Sequence, residues 1–508
     1  MAQDPAAPDR RALGPGWLTG PAGRFLHEAL KEYEGGRYAH AEAILRQVVE
    51  QRPGNGWAWH LRGLTASRAG DTIRAVDCFV RAVACDTSNA RYCAALADSL
   101  VRLGRDDDAV APWRRAIDLD PENAAWQAGM ARCLSRLDRH DEALPCFRAA
   151  LRLSPGDASL HAAFGYALQR RGNAAEAAGQ YRNALRADPD RDEVRLNLAA
   201  ALRELGDDEA AAAECREVLR HNPRSVPALN NLGSALCHLG RIEEAVRRLE
   251  AAMLLEPENL TTLNNLGVAL DAAGAAAEAE ACLRKALALR PDFPDAHRSL
   301  ANLLRGSGRL DEAALHYRAV IERLPLDFRS YGNLGLVLLN LNRPHDAVAV
   351  YEKALALQPG RPDIRTSLGI AQLLIGDFEN GWTNYDARWH GDRAPAWRPG
   401  HGAVRWRGEN RSDDPAGGTP TILVHAEQGF GDTLQFCRYL PLVSATGAHV
   451  VFECQPPLAE LMATLPKATP AQDIRIIARG EPAPAAGYHA PLLSLPGIFG
   501  TKLDTIPA

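Results

Sequence analysis

Between Val226 and Asn259 apolar residues recur three and four positions apart, first at Leu229, Leu232 and Leu236, then at Ala245, Leu249 and Ala252. Gly240 separates the two runs and Pro257 follows the second. This spacing predicts helix, turn, helix and stop, because three- and four-residue steps line one helical face and proline cannot continue a helix. Gly233 and Ala245 permit close approach of the two helices, and the larger residue one turn on fills the space beside them. A single pair cannot bury its own apolar face, so it requires neighbours of the same kind.

Those neighbours follow at a spacing of 34 residues: Ala41, Ala75, Ala109, Ala143, Ala177, Ala211, Ala245, Ala279, Ala313 and Ala347 hold one register without an insertion. Proline keeps step from Pro53 and Pro121 to Pro359, with Thr87 the exception, and a small residue runs from Gly63 through Ala131 and Gly233 to Gly369. Repetition at this period identifies an array of helix pairs. The pattern resembles the tetratricopeptide repeat, which implies a right-handed superhelical solenoid of about eleven pairs whose first helices line an inner, concave surface. The expected division is a disordered Pro- and Gly-rich leader over 1–21, the array over 22–395, a tryptophan-containing junction and linker over 396–420, and a second domain over 421–508. In the first two units Glu28 and Arg62 replace leucine, as expected of an end that faces water.

From the sixth unit the residue before the Leu-Gly or Leu-Ala pair is Asn197, Asn231, Asn265 and Asn333, with Ser299 between the last two. On a concave surface such carboxamides form a ladder that grips the amides of an extended peptide, since each offers one acceptor and two donors. This resembles the asparagine ladder of the O-linked N-acetylglucosamine transferases. Helix capping or bridging by the same residues is the other reading.

The 508 residues carry a net charge of -5 and a pI near 6.3, which gives no basic field for nucleic acid. No apolar run is long enough to span a membrane and the first twenty residues lack a signal-peptide core, so a cytoplasmic location without membrane insertion is expected. The ten cysteines make no CxxC or metal-ligand spacing. Cys78, Cys146 and Cys282 share one repeat position and read as small packing residues.

After Asp377 the composition shifts. Trp382, Trp389, Trp397 and Trp406 cluster with Tyr385 and Arg388, either to stack on a sugar or to cement a domain junction. Then 421–426 reads as a buried strand, 427–431 as a glycine turn, 432–443 as a helix, 448–453 as a strand, Pro456 as a helix start and 474–477 as a strand. Such a βαβαβ run predicts a parallel, doubly wound sheet, with the EQGFGD turn at the strand ends where ligands bind. The dinucleotide fingerprint fails at Leu434 and no GK[ST] is present, which argues against nicotinamide and P-loop chemistry.

The stretch TILVHAEQGFGDTLQFCRYLPLVSATGAHVVFECQPPLAELM, with YHAPLLSLP, resembles the first half of the family 9, heptosyltransferase-like GT-B glycosyltransferases. The resemblance implies a Rossmann-like half domain, an acceptor loop of Glu427, Gln428, Gly429, Gly431 and Asp432, and Asp432 as general base. A plain helix cap is the other reading of Asp432. Ala426 stands where the family carries a basic residue. No second, donor-binding domain follows within the 508 residues, and within 421–508 no DxD motif offers a metal route to a diphosphate. The expectation is therefore a scaffold that binds a protein or peptide partner in its groove, needs no cofactor or metal, and carries an incomplete, inactive transferase-like domain. The alternative is a glycosyltransferase that uses a sugar nucleotide on an acceptor presented by the array.

Overall fold

The computed structural model describes residues 21–390, 403–408, 419–427, 429–465 and 474–507. Residues 1–20 of the expected leader, Trp397, Gln428 and most of the 409–420 loop lie outside these residues, and Pro21 opens the first helix. Contacts divide the chain into two compact units, one ending at Pro257 and the other beginning at Glu258.

The first unit holds seven helix pairs. They are α1 Pro21–Glu34 and α2 Tyr38–Gln51, α3 Gly56–Arg68 and α4 Thr72–Cys85, α5 Ala90–Arg102 and α6 Asp106–Leu119, α7 Ala124–Arg136 and α8 His140–Leu153, α9 Ala158–Arg170 and α10 Ala174–Ala187, α11 Asp192–Glu204 and α12 Asp208–His221, α13 Val226–His238 and α14 Ile242–Leu255. The α13/α14 pair explains the rest. Ser225 caps α13 by accepting from the Ala228 amide at 3.4 Å, and Glu243 and Glu244 place negative charge at the start of α14. Gly240 takes a φ of 73°, a left-handed turn that closes α13. Ala245, Leu249 and Ala252 are buried against α13, and a Cβ added to Gly233 would lie 2.5 Å from Leu249 Cγ. Gly233 is therefore the slot and Leu249 the knob, and burying such a leucine contributes roughly 1.5 to 3 kcal/mol.

The second unit continues with α15 Leu260–Ala272 and α16 Ala276–Leu289, α17 Pro294–Gly306 and α18 Leu310–Arg323, α19 Phe328–Asn340 and α20 Pro344–Leu357, α21 Pro362–Leu374 and the short α22 Phe378–Tyr385. Every alanine of the 34-residue register, Ala41 to Ala347, has 0% exposure. Two positions differ from the sequence expectation. Arg62 sits half-buried on Glu42 at 2.8 Å instead of facing water, and of the three register cysteines only Cys78 is buried, Cys146 and Cys282 being intermediate.

A parallel five-stranded sheet follows, made of β1 Val404–Arg405, β2 Thr421–His425, β3 His449–Cys454, β4 Ile474–Ala478 and β5 Tyr488–Pro491 in the order β1-β5-β2-β3-β4. The expected strands at 421–426, 448–453 and 474–477 appear within a residue of their bounds. β1 is two residues long and β5 ends in proline, so neither carries a strand pattern. The expected 432–443 helix is broken: α23 Phe430–Phe436 passes through a 3-10 turn at Cys437–Tyr439 into α24 Leu440–Ala445, where Pro441 supplies no amide hydrogen to continue it. The start at Pro456 is likewise a 3-10 turn, followed by α25 Ala459–Met462. Ile422, Val424, Phe452, Leu440 and Trp406 form the core of this region.

Candidate functional site

In each unit the odd-numbered helices of successive pairs touch one another, among them α7 with α9, α9 with α11, α11 with α13, α15 with α17 and α19 with α21. Positions two, six, nine and thirteen of these helices share one face, since they stand three or four residues apart. Asn197 and Asn231 occupy the sixth position of α11 and α13, and Asn265, Ser299 and Asn333 that of α15, α17 and α19; all five are half-buried. Asn197 lines a recess of about 470 Å³ with Ala163 and Tyr166 of α9 and Arg132 of α7. Asn265 accepts from Asn264 Nδ2 at 3.3 Å, a contact within its own helix.

Three residues on from Asn265 and Asn333, Val268 and Leu336 are 43% and 38% exposed, so on α15 and α19 this face carries an amide beside an apolar residue. Read in 34-residue steps the ninth position is Val268, Asn302, Leu336 and Ile370, the last 40% exposed.

The acceptor-loop residues lie elsewhere. Glu427, directly after β2, is not open to a ligand: its carboxylate is fully buried, accepts from Arg388 Nε and Nη2 at 3.0 Å each, and accepts the Leu493 amide at 3.0 Å. Burial raises its pKa above the ordinary carboxylate value against the pull of Arg388. Arg388 follows α22 in a 3-10 turn, Asp386–Trp389, at the register where earlier repeats carry a closing alanine such as Ala354. It also donates to Ser494 Oγ at 2.9 Å and lies 4.3 Å from the Tyr385 ring. Asp386 accepts from Ser494 at 2.8 Å and Arg405 at 2.5 Å.

Trp389 meets His425 edge-on at 5.7 Å, and His489 Nδ1 lies 3.4 Å from His425 Nε2. Burial, then His489 and three arginines, drive the His425 pKa down to about 2. Since β2 and β5 are neighbours at a reversal of strand order, the crevice beyond their carboxyl ends is where such a sheet admits ligands, and here side chains from the end of the repeat array occupy it. Trp382 donates to the Thr501 carbonyl at 3.3 Å and Trp406 is 3% exposed, so these tryptophans cement the junction.

Gly429 caps α23, Gly431 is in its exposed first turn, and Asp432 is half-buried in that turn with Oδ2 4.0 Å from where a Gly429 Cβ would stand. Asp432 therefore lies at the third helical position and is not the cap. Among the described residues no group of three metal-ligating side chains occurs, and no helix is long and apolar enough to cross a membrane.

The fold defines a helical-repeat protein built of tetratricopeptide-like helix pairs. Residues 94–158, 163–227 and 264–328 match one model of the tetratricopeptide repeat, 224–292 a second and 328–361 a third, together just over half of the 508 residues. The chain belongs to the tetratricopeptide-repeat family. Over 131 residues it is 30% identical to Protein FlbA of Caulobacter vibrioides, covering 25% of this chain and 21% of that relative, about a fifth of its length. A thermophilic tetratricopeptide-repeat protein of Thermus thermophilus is 26% identical over 36% of this chain and 100% of its own, with a TM-score of 0.35. Yeast Tom70 is 14% identical over 72% of this chain and 91% of its own, with a TM-score of 0.41.

Proposed function

We propose that the protein is a scaffold whose odd-numbered helices take an extended peptide. The observation that carries this reading is the face on which half-buried Asn265, Ser299 and Asn333 alternate with exposed Val268 and Leu336, while the alanines of the second helices are wholly buried. Exposed apolar side chains beside carboxamides that still have hydrogen-bonding capacity suit a strand that needs both. The test is fluorescence anisotropy of the full chain against a pool of labelled extended peptides. Replacing Asn197, Asn231, Asn265 and Asn333 together by alanine is expected to weaken the best binder about tenfold, at roughly 0.5 kcal/mol or less per amide, without lowering the thermal midpoint. Unchanged affinity contradicts the reading.

A second reading, acceptor-side glycosyltransferase chemistry with Asp432 as base, draws support from the parallel sheet and from the glycine turn that follows β2. The ion pair of Arg388 and Glu427 in the crevice weighs against an open donor site. No nucleotide release from sugar nucleotides is therefore expected, and turnover abolished by Asp432→Asn would favour the enzyme.

A further inference from the structure

The thirteenth position of the odd-numbered helices changes character along the chain. It is Arg68, Arg102, Arg136 and Arg170 in α3, α5, α7 and α9, then Glu204 and His238 in α11 and α13. In the second unit it is Ala272, Gly306, Asn340 and Leu374. All four arginines are exposed, on a chain whose net charge is -5. Over the same repeats the sixth position is Leu61, Ala95, Gly129 and Ala163 instead of asparagine, so the floor between the arginines is apolar and mostly small. Two recesses open there, one of about 350 Å³ lined by Arg68, Ala95 and Arg102, the other of about 470 Å³ lined by Arg132, Arg136 and Ala163.

Acids stand beside these arginines at several places. Arg136 is bonded to Asp106 at 2.5 Å, with 46% of its side chain exposed. Arg170, 56% exposed, lies 3.8 Å from Asp138, and Arg102 donates to the neutral Ser67 hydroxyl at 2.7 Å. Asp98 lines the first recess with Arg68 and Arg102, and Asp138 and Glu193 line the second with Arg132 and Arg136. Exposed pairs of this kind contribute little and exchange readily for a partner's carboxylate.

We propose that α3, α5, α7 and α9 form a cationic track that docks an extended polypeptide carrying a carboxylate at every third residue. Packed helices stand about 8 to 10 Å apart, and an extended chain in the polyproline II conformation repeats every three residues over about 9 Å with every third side chain on one face, so one acidic side chain meets each arginine while the residues between lie over the small floor. This rests on the reading above that the open face takes an extended peptide, and it assigns the chemistry of the segment bound by the first unit.

The experiment is anisotropy of the full chain with three short labelled peptides: glutamate at every third position, glutamine at those positions, and the same glutamates in one block. The variant is Arg102→Gln with Arg170→Gln, which spares the tighter Arg136 pair. The spaced glutamate peptide is expected to bind best, to weaken with added salt, and to lose about tenfold in the variant at an unchanged thermal midpoint. The glutamine peptide should be indifferent to the variant. Equal binding of the block peptide, an undiminished spaced peptide in the variant, or equally tight binding of a single-stranded oligonucleotide overturns the track. If the glutamine peptide binds and is lost in the asparagine variant while the arginines do not matter, the track falls and the peptide groove stands. If no peptide binds, both fall.

Discussion

Asp138 and Asn342 hold φ angles of 56° and 54° at the turn register that glycine fills elsewhere, from Gly36 to Gly376. The turn between the two helices needs a left-handed residue to end the first helix, and only glycine takes that conformation without strain. Asn342→Gly is therefore expected to stabilise by about 0.5 to 1 kcal/mol, read as a higher urea midpoint; no shift would mean that the turn tolerates asparagine fully. The converse substitution is Ala245→Leu, which places a larger side chain at a position with 0% exposure and is expected to cost roughly 1 to 3 kcal/mol. The alanine register was legible because each position meets the same neighbour in every repeat, so one physical constraint is written ten times over. The turn register was equally legible in 34-residue steps. Arg388 and Glu427 were not, because 39 residues separate them and neither belongs to a repeating contact.

At the level of elements, the closing proline shows how a helix end is satisfied. Trp59, Gln127, His161, Arg195 and His297, all on odd-numbered helices, donate to the carbonyls of Pro53, Pro121, Pro155, Pro189 and Pro291, always six residues back. The chain's exit from one pair is thus tied to its entry into the next.

The eleventh pair does something else. Its second helix stops at Tyr385, and the 3-10 turn after it places Arg388 on the buried Glu427. Arg388→Met leaves that carboxylate without its cation and is expected to cost about 3 to 5 kcal/mol, whereas Arg388→Met with Glu427→Leu should recover most of the loss. Urea unfolding followed by tryptophan fluorescence checks this, and equal losses in the single and double variants would contradict it. The element order β2, β3, β4 was readable from apolar runs, whereas β1 and β5 gain their strand character only from pairing with β5 and β2.

His425 adds a pH dependence to the same region. Its folded pKa is depressed by burial, with His489, Arg479, Arg405 and Arg388 around it, and His489 shifts in the same direction. The unfolded chain takes up the proton near pH 6.5 and the folded chain does not. Stability is therefore fully present above that pH and falls as pH drops below it, by about 1.4 kcal/mol per unit at most for this residue. Comparing His425→Phe with the parent at pH 7.5 and 5.5 isolates the effect: the variant should lose less on acidification, and an equal loss would contradict the assignment.

On the scale of the whole molecule, one repeat geometry carries different chemistry on its open face in different parts of the chain. Helices α3 to α9 present arginines over mostly small residues, α11 and α13 carry Asn197 and Asn231, and in the second unit Asn265 and Asn333 stand beside Val268 and Leu336. The packing registers are invariant because the fold requires them, which leaves the face positions free to vary with what is bound. Photo-cross-linking of the tightest-binding peptide tests this account most directly. A photoreactive residue would replace Asn197 or Asn265 on the odd-numbered helices, and Ile73 or Leu254, which are 70% and 81% exposed on α4 and α14, as controls. The peptide is expected to be labelled from Asn197, from Asn265 or from both, and not from Ile73 or Leu254. Labelling from the controls alone, or equally from all four positions, would contradict it.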